Sequence, residues 1–96
     1  MRMLLTARLD TETANRAVAD GTLQKMIEGV VEHLKPEATY FTDSEGDRCC
    51  LMVFDMKDAS EIPPAAEPLF ASGAKISFKP VMTVDDLRTG LESLGK

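Results

Sequence analysis

No run of lysine or arginine occurs anywhere in this chain: 11 basic side chains face 16 acidic ones, for a net charge of -5. Nucleic-acid binding by counterion release needs a basic footprint, and anionic membrane surfaces ask for the same, so neither partner is expected. Cysteine is scarce, and its two copies, Cys49 and Cys50, are neighbours. Adjacent strand residues point to opposite faces, which prevents an unstrained disulfide between them. Reduced thiols in a reducing compartment are therefore expected. Histidine occurs once, at His33. Two thiols and one imidazole make no zinc site, so neither a metal nor a cofactor is expected. No apolar run approaches bilayer length, and the apolar part of MRMLLTARLD is too short and too closely followed by charge for a signal segment. A cytoplasmic location is the expectation. Phosphate-cradling glycine loops, nucleophile elbows and metal-spaced ligand sets are all missing.

What is present reads as one ordinary globular domain, residues 1–96, with 44% apolar and 28% charged residues. A chain of this length buries roughly two thirds of its unfolded surface, enough for one modest core. Met3, Leu5, Ala7 and Leu9 alternate with Leu4, Thr6 and Arg8, the two-residue period of a strand. From about Thr13 to Lys35 the period becomes helical, with Leu23, Met26, Ile27, Val30, Val31 and Leu34 forming one stripe. Gly21 and Thr22 mark a kink or break in that helix, and Pro36 ends it. Ala38 to Asp43 reads as a second strand, Ser44 to Asp47 as a hairpin connection, and Arg48 to Met56 as a third strand. Lys57 to Ser60 reads as a loop and Ile62 to Ala71 as a short helix with prolines in its first turn. Lys75 to Met82 is a fourth strand, which Pro80 places at an edge. Thr83 and Asp86 then cap a final helix with Val84, Leu87, Leu91 and Leu94 on one stripe.

The order is β-α-β-β-α-β plus a C-terminal helix, which predicts an α+β, ferredoxin-like domain with a four-stranded antiparallel sheet. Right-handed crossovers put the connecting helices on one side of the sheet and leave the other side bare. The third strand is apolar on both faces: Cys50, Met52 and Phe54 on one, Cys49, Leu51 and Val53 on the other. Leaving that second set in water is unfavourable by about 25 cal/mol per Å². A second identical sheet, related by a two-fold axis, is the expected cover, which makes the protein a homodimer.

The order of elements, together with the segments Lys35-Pro36-Glu37-Ala38-Thr39-Tyr40-Phe41 and Glu67-Pro68-Leu69-Phe70, resembles small uncharacterised bacterial proteins of the dimeric α+β barrel superfamily. That superfamily contains cofactor-free monooxygenases of polyketide metabolism, muconolactone isomerases and YciI-like proteins. The resemblance implies two ferredoxin-like subunits pairing their sheets.

Four residues form the candidate site. Arg8, Ser77 and Lys79 share the less apolar side of their strands, and a hairpin turning at Glu45 and Gly46 sets Tyr40 opposite Leu51. Polar groups on a face that a partner covers must pair, lie at the rim or line a cavity. A cavity here suits a small anionic or phenolic ligand held by Arg8 and Tyr40; rim salt bridges to the partner are the competing reading. His33 falls in the last turn of a helix, where a solvated or dipole-compensating role is expected. Cys49 and Cys50 read as packing residues, Asp85 and Asp86 as helix-start charges, and the methionines, Met52, Met56 and Met82 among them, as gap fillers. The functional expectation is a homodimer binding a small molecule between helices and sheet. One alternative is a cofactor-independent monooxygenase- or isomerase-like enzyme acting on an aromatic or polyketide-like substrate. The other is a protein-interaction module using the open sheet face.

Overall fold

The computed structural model describes residues 1–95. Its four strands are β1 (Arg2–Arg8), β2 (Ala38–Ser44), β3 (Asp47–Asp55) and β4 (Lys75–Pro80). Its four helices are α1 (Thr11–Asp20), α2 (Thr22–Leu34), α3 (Ile62–Ala71) and α4 (Val84–Glu92). The strands form one open antiparallel sheet in the order β2-β3-β1-β4. This α+β architecture is compatible with the split βαβ pattern but matches it loosely. Two helices fill the first crossover, a 3-10 turn at Ala59–Glu61 precedes α3, and α4 is an addition.

Each element starts and stops for a local reason. Asp10 caps α1 by accepting from the Thr13 amide at 3.0 Å. Of the kink or break expected at Gly21 and Thr22, the structure has the break. Gly21 adopts φ 78, a left-handed conformation that glycine takes without steric cost, and Asp20 then accepts from the Thr22 amide to open α2. Lys35 ends α2 at φ 48, immediately before Pro36. The hairpin turns at Glu45 and Gly46 as expected, and Tyr40 pairs with Leu51; only the strand ends differ. Glu45 and Gly46 both have positive φ (50 and 87), the requirement of a two-residue primed turn, so Asp47 already pairs with Ser44 inside β3. β3 accordingly starts one residue earlier than the sequence pattern indicates and ends at Asp55. β4 stops at Pro80, short of Met82, where the proline contributes no amide to continue the ladder. The expected loop before α3 holds the 3-10 turn because Asp58 and Glu61 form a capping box.

The core lies on one side of the sheet. Met3, Leu5 and Ala7 of β1, and Cys50, Met52 and Phe54 of β3, meet Ala14, Val30, Leu34, Ala65 and Leu69 from α1, α2 and α3. Phe54, Leu5, Met52 and Leu69 are the largest fully buried side chains. Phe54 meets Phe78 of edge strand β4 edge-to-face, with centroids 6.2 Å apart. No polar or charged side chain is buried among the described residues. α4 stands apart. Its capping box is complete, with Thr83 and Asp86 bonding each other's amides. Yet Val84, Leu87 and Leu91 remain 47–72% exposed. The radius of gyration, 15.6 Å, exceeds the ~12–13 Å of a compact chain this long because of this projection.

Truncating the fully buried Leu5 to Ala leaves a cavity between β1 and the helices. Leu5→Ala is expected to lower the unfolding free energy by about 2–5 kcal/mol, measured by urea denaturation.

Candidate functional site

The register places the four candidate residues on the sheet face opposite the helices. Across that face run three rows: Ala38, Val53, Leu4 and Lys79; then Tyr40, Leu51, Thr6 and Ser77; then Thr42, Cys49, Arg8 and Lys75. Tyr40 and Ser77 therefore share the middle row, from opposite edge strands. Arg8 and Lys79 lie one row to either side. Two rows correspond to four residues along a strand, about 13 Å, and the full width of four strands is about 14 Å. The structure thus brings the four residues to one face without converging them on one point. The ligand space expected between helices and sheet does not involve them, because the helix side of the same strands is filled by Met3, Leu5, Met52 and Phe54.

Arg8 is already engaged. Its Nε donates to Asp47 at 2.9 Å and its Nη1 to Glu45 at 2.7 Å, drawing the guanidinium towards the β2–β3 hairpin. The Asp47 bond is the first reason its proton is held more tightly than usual. Two carboxylates neutralise the charge expected to hold an anion. Asp47 in turn accepts from the Thr11 hydroxyl, then from Arg8, and both hold its carboxyl below the usual range. Arg8 and Asp47 border a depression of about 290 Å³ together with Asp10, Thr13, Gly73 and Lys75. Tyr40, Ser77 and Lys79 take no part in it.

Tyr40 is 66% exposed, and Lys79 has no acidic partner among the described residues. Between them, Leu4, Thr6, Leu51, Val53 and Ser77 are half-buried. This face therefore offers an apolar centre with hydroxyls in its middle row, two lysines without acidic partners among the described residues, Lys79 and Lys75, along its β4 edge, and a neutralised Arg8 towards the hairpin.

The remaining candidates take the quieter roles. His33 is exposed in the last turn of α2. Asp85 pairs with Arg88, and Asp86 caps α4. Met52 is in the core, Met56 packs against it, and Met82 is 71% exposed. Cys49 and Cys50 are free and buried, on opposite faces of β3. Burial, with a smaller effect from Cys49, pushes the Cys50 thiol up to about 11. No group of three or more His, Cys, Asp or Glu side chains gathers as a metal site among the described residues, and none of their helices is long and apolar enough to cross a membrane. Sequence reasoning missed Phe41, which is 64% exposed on the helix side of β2. The only signal was two adjacent aromatics, Tyr40 and Phe41, on a strand too near the sheet edge for both to be covered.

Two measurements follow. A thiol reagent at pH 8 should leave Cys50 unmodified in the folded protein and label both cysteines once urea unfolds it, because the thiol is protonated and enclosed. Asp47 contributes stability in full above about pH 4, the ordinary carboxylate value, and that contribution fades as the pH drops through its depressed folded value. Asp47→Asn should therefore flatten the dependence of the urea midpoint on pH below that point.

No protein-family model matches the chain, and no curated protein matches it either.

Proposed function

We propose that this chain is a homodimeric, ferredoxin-like protein of the dimeric α+β barrel type, and that its two facing sheets enclose a small aromatic or phenolic ligand. One observation carries the reading: Leu4, Leu51, Val53, Ala38 and Tyr40 form a contiguous apolar surface on a sheet face that no helix of the same chain covers. Each half-buried aliphatic side chain stands to contribute about 1 kcal/mol when a partner removes its remaining surface from water. Stacked sheets approach to about 10 Å, which leaves room for side chains and, where those are small, for a ligand. The small residues lie in the middle row, at Thr6 and Ser77, beside the Tyr40 phenol.

That composition selects the ligand class. An aromatic ring fills the apolar centre, and a phenolic or acidic group on it meets the Tyr40 and Ser77 hydroxyls and the unpaired Lys79 ammonium. Arg8, already paired with Asp47 and Glu45, supports the wall near the hairpin and leaves the ligand's charge to Lys79. The two buried free thiols fit a reducing, cytoplasmic setting.

Light scattering at micromolar concentration should give the mass of two chains. Leu51→Arg places a charge in the middle row of each sheet; it should weaken self-association at least tenfold with an unchanged circular dichroism spectrum. A wild-type monomer would sink the proposal. In a thermal-shift screen, aromatic acids, phenols and quinones should include stabilising ligands, and Tyr40→Phe should weaken the best of them about tenfold, the cost of one buried hydrogen bond. Equal affinity in the Tyr40→Phe protein would remove Tyr40 from the site.

A further inference from the structure

We propose that α4 is an exchanged arm, and that its apolar stripe seats in the groove between α2 and β2 of a second copy of this chain. Both halves of the contact are present in the chain, and both are uncovered. Val84, Leu87 and Leu91 form one stripe on α4, and they stay 47–72% exposed even though both ends of the box capping the helix are made. An amphipathic helix is stabilised mainly by packing its apolar face, so a well-capped helix with a bare stripe lacks a partner. At the other edge of the sheet, α1 and α2 leave a groove of about 330 Å³ containing Val18, Ile27 and Phe41, with Val18 53% and Phe41 64% exposed. A second depression of about 270 Å³ continues it past Ile27 and Phe41 to Arg48.

Topology decides who fills the groove. α4 follows β4, one edge strand, while Phe41 belongs to β2, the opposite edge strand. Only Val81, Met82 and Thr83 separate β4 from α4, so Val84 lies four Cα steps from Pro80 and at most about 14 Å away, whereas Phe41 lies three strands across and four residues along from Pro80, about 19 Å. A chain therefore cannot seat its own α4 in its own groove, but a second copy can. Under two-fold symmetry each copy gives one arm and receives one, so the contact is made twice.

Length and charge agree with this occupant. The groove follows α2 from Gly21 to Glu28, seven residues or about 10 Å, and Val84 to Leu91 on α4 spans the same rise. α4 carries Asp85, Asp86 and Glu92 against Arg88 alone. Arg48, at the end of the groove, hydrogen-bonds Asn15 and has no carboxylate partner among the described residues. An acidic arm has the right sign for that cation, which lies in the continuing depression, while Glu28 is the one acidic side chain lining the groove itself.

Arm exchange and sheet pairing are separate contacts, and separate substitutions report on them. The doubly substituted Leu87→Asp/Leu91→Asp chain should keep its fold, since both side chains are exposed, and its self-association by analytical ultracentrifugation should weaken at least tenfold. Mixing a Leu87→Cys chain with a Val18→Cys chain under mild oxidation should give a covalent mixed dimer well above the yield of either chain alone; the native cysteines are buried and do not compete. Unchanged self-association of the aspartate variant, or no mixed disulfide, overturns the arm exchange. If Leu51→Arg alone abolishes the dimer while the α4 variant retains it, sheet pairing stands and arm exchange falls. The reverse pattern has the opposite meaning.

Discussion

The constraint on which the structure depends is the two-sided apolar character of β3 in a sheet with helices on one side only. β3 lies between β1 and β2, so its backbone is satisfied by ladders on both sides. Its alternate side chains then have two different fates. Cys50, Met52 and Phe54 meet the helical layer and are almost fully buried. Cys49, Leu51 and Val53 turn to the open face, where Leu51 and Val53 stay half-buried, as does Leu4 beside them on β1, while Cys49, expected to be bare with them, is only 4% exposed. A slip of one residue in register would exchange the two sets, and Phe54 and Met52 would lose the core. The tight Glu45–Gly46 turn at one end, and the Met1 amine bonded to Asp55 at the other, hold β3 against that slip.

The same arrangement governs where chemistry can sit. With the helix side filled by large side chains, polar residues appear on the open face or at the ends of the strands. Those at the strand ends are spent on one another: Arg8 with Asp47 and Glu45, Arg2 with Glu37, the N-terminus with Asp55. Exposed pairs of this kind each contribute little to stability, about 0–1 kcal/mol. Their effect here is to remove Arg8 from the supply of free cations, which leaves Lys79 and Lys75, at the two ends of β4, as the open charges of the face among the described residues. A ligand reading built on Arg8 thereby becomes one built on the Tyr40–Ser77 row and Lys79.

Much of the architecture was legible along the chain because it depends on local chemistry. The two-residue period of Met3 to Leu9, the Thr83–Asp86 box and the prolines opening α3 each specify an element with no help from the rest of the molecule. The break at Gly21 was visible as an ambiguity, and backbone geometry at φ 78 resolved it. Less of the candidate site was legible. Alternation assigned Arg8, Ser77 and Lys79 to one side of their strands, and the hairpin assigned Tyr40 to the row of Leu51. Distances across the face, the ion pairs of Arg8 and the exposure of Phe41 arise from contacts between residues more than thirty positions apart, such as Arg8 with Asp47. No periodicity encodes such contacts.

By itself, the sequence determined the elements, their order and which side chains share a strand face, because dihedral preferences and hydrophobic period act over a few neighbouring residues. Tertiary structure alone decided that α4 projects from the domain with its stripe uncovered, that an apolar groove lies at the opposite sheet edge, and that Arg8 is neutralised. The reason is physical: packing and charge pairing depend on which strands become neighbours, and in this sheet the ladder joins β1 to β3 and β4, distant in sequence and adjacent in space.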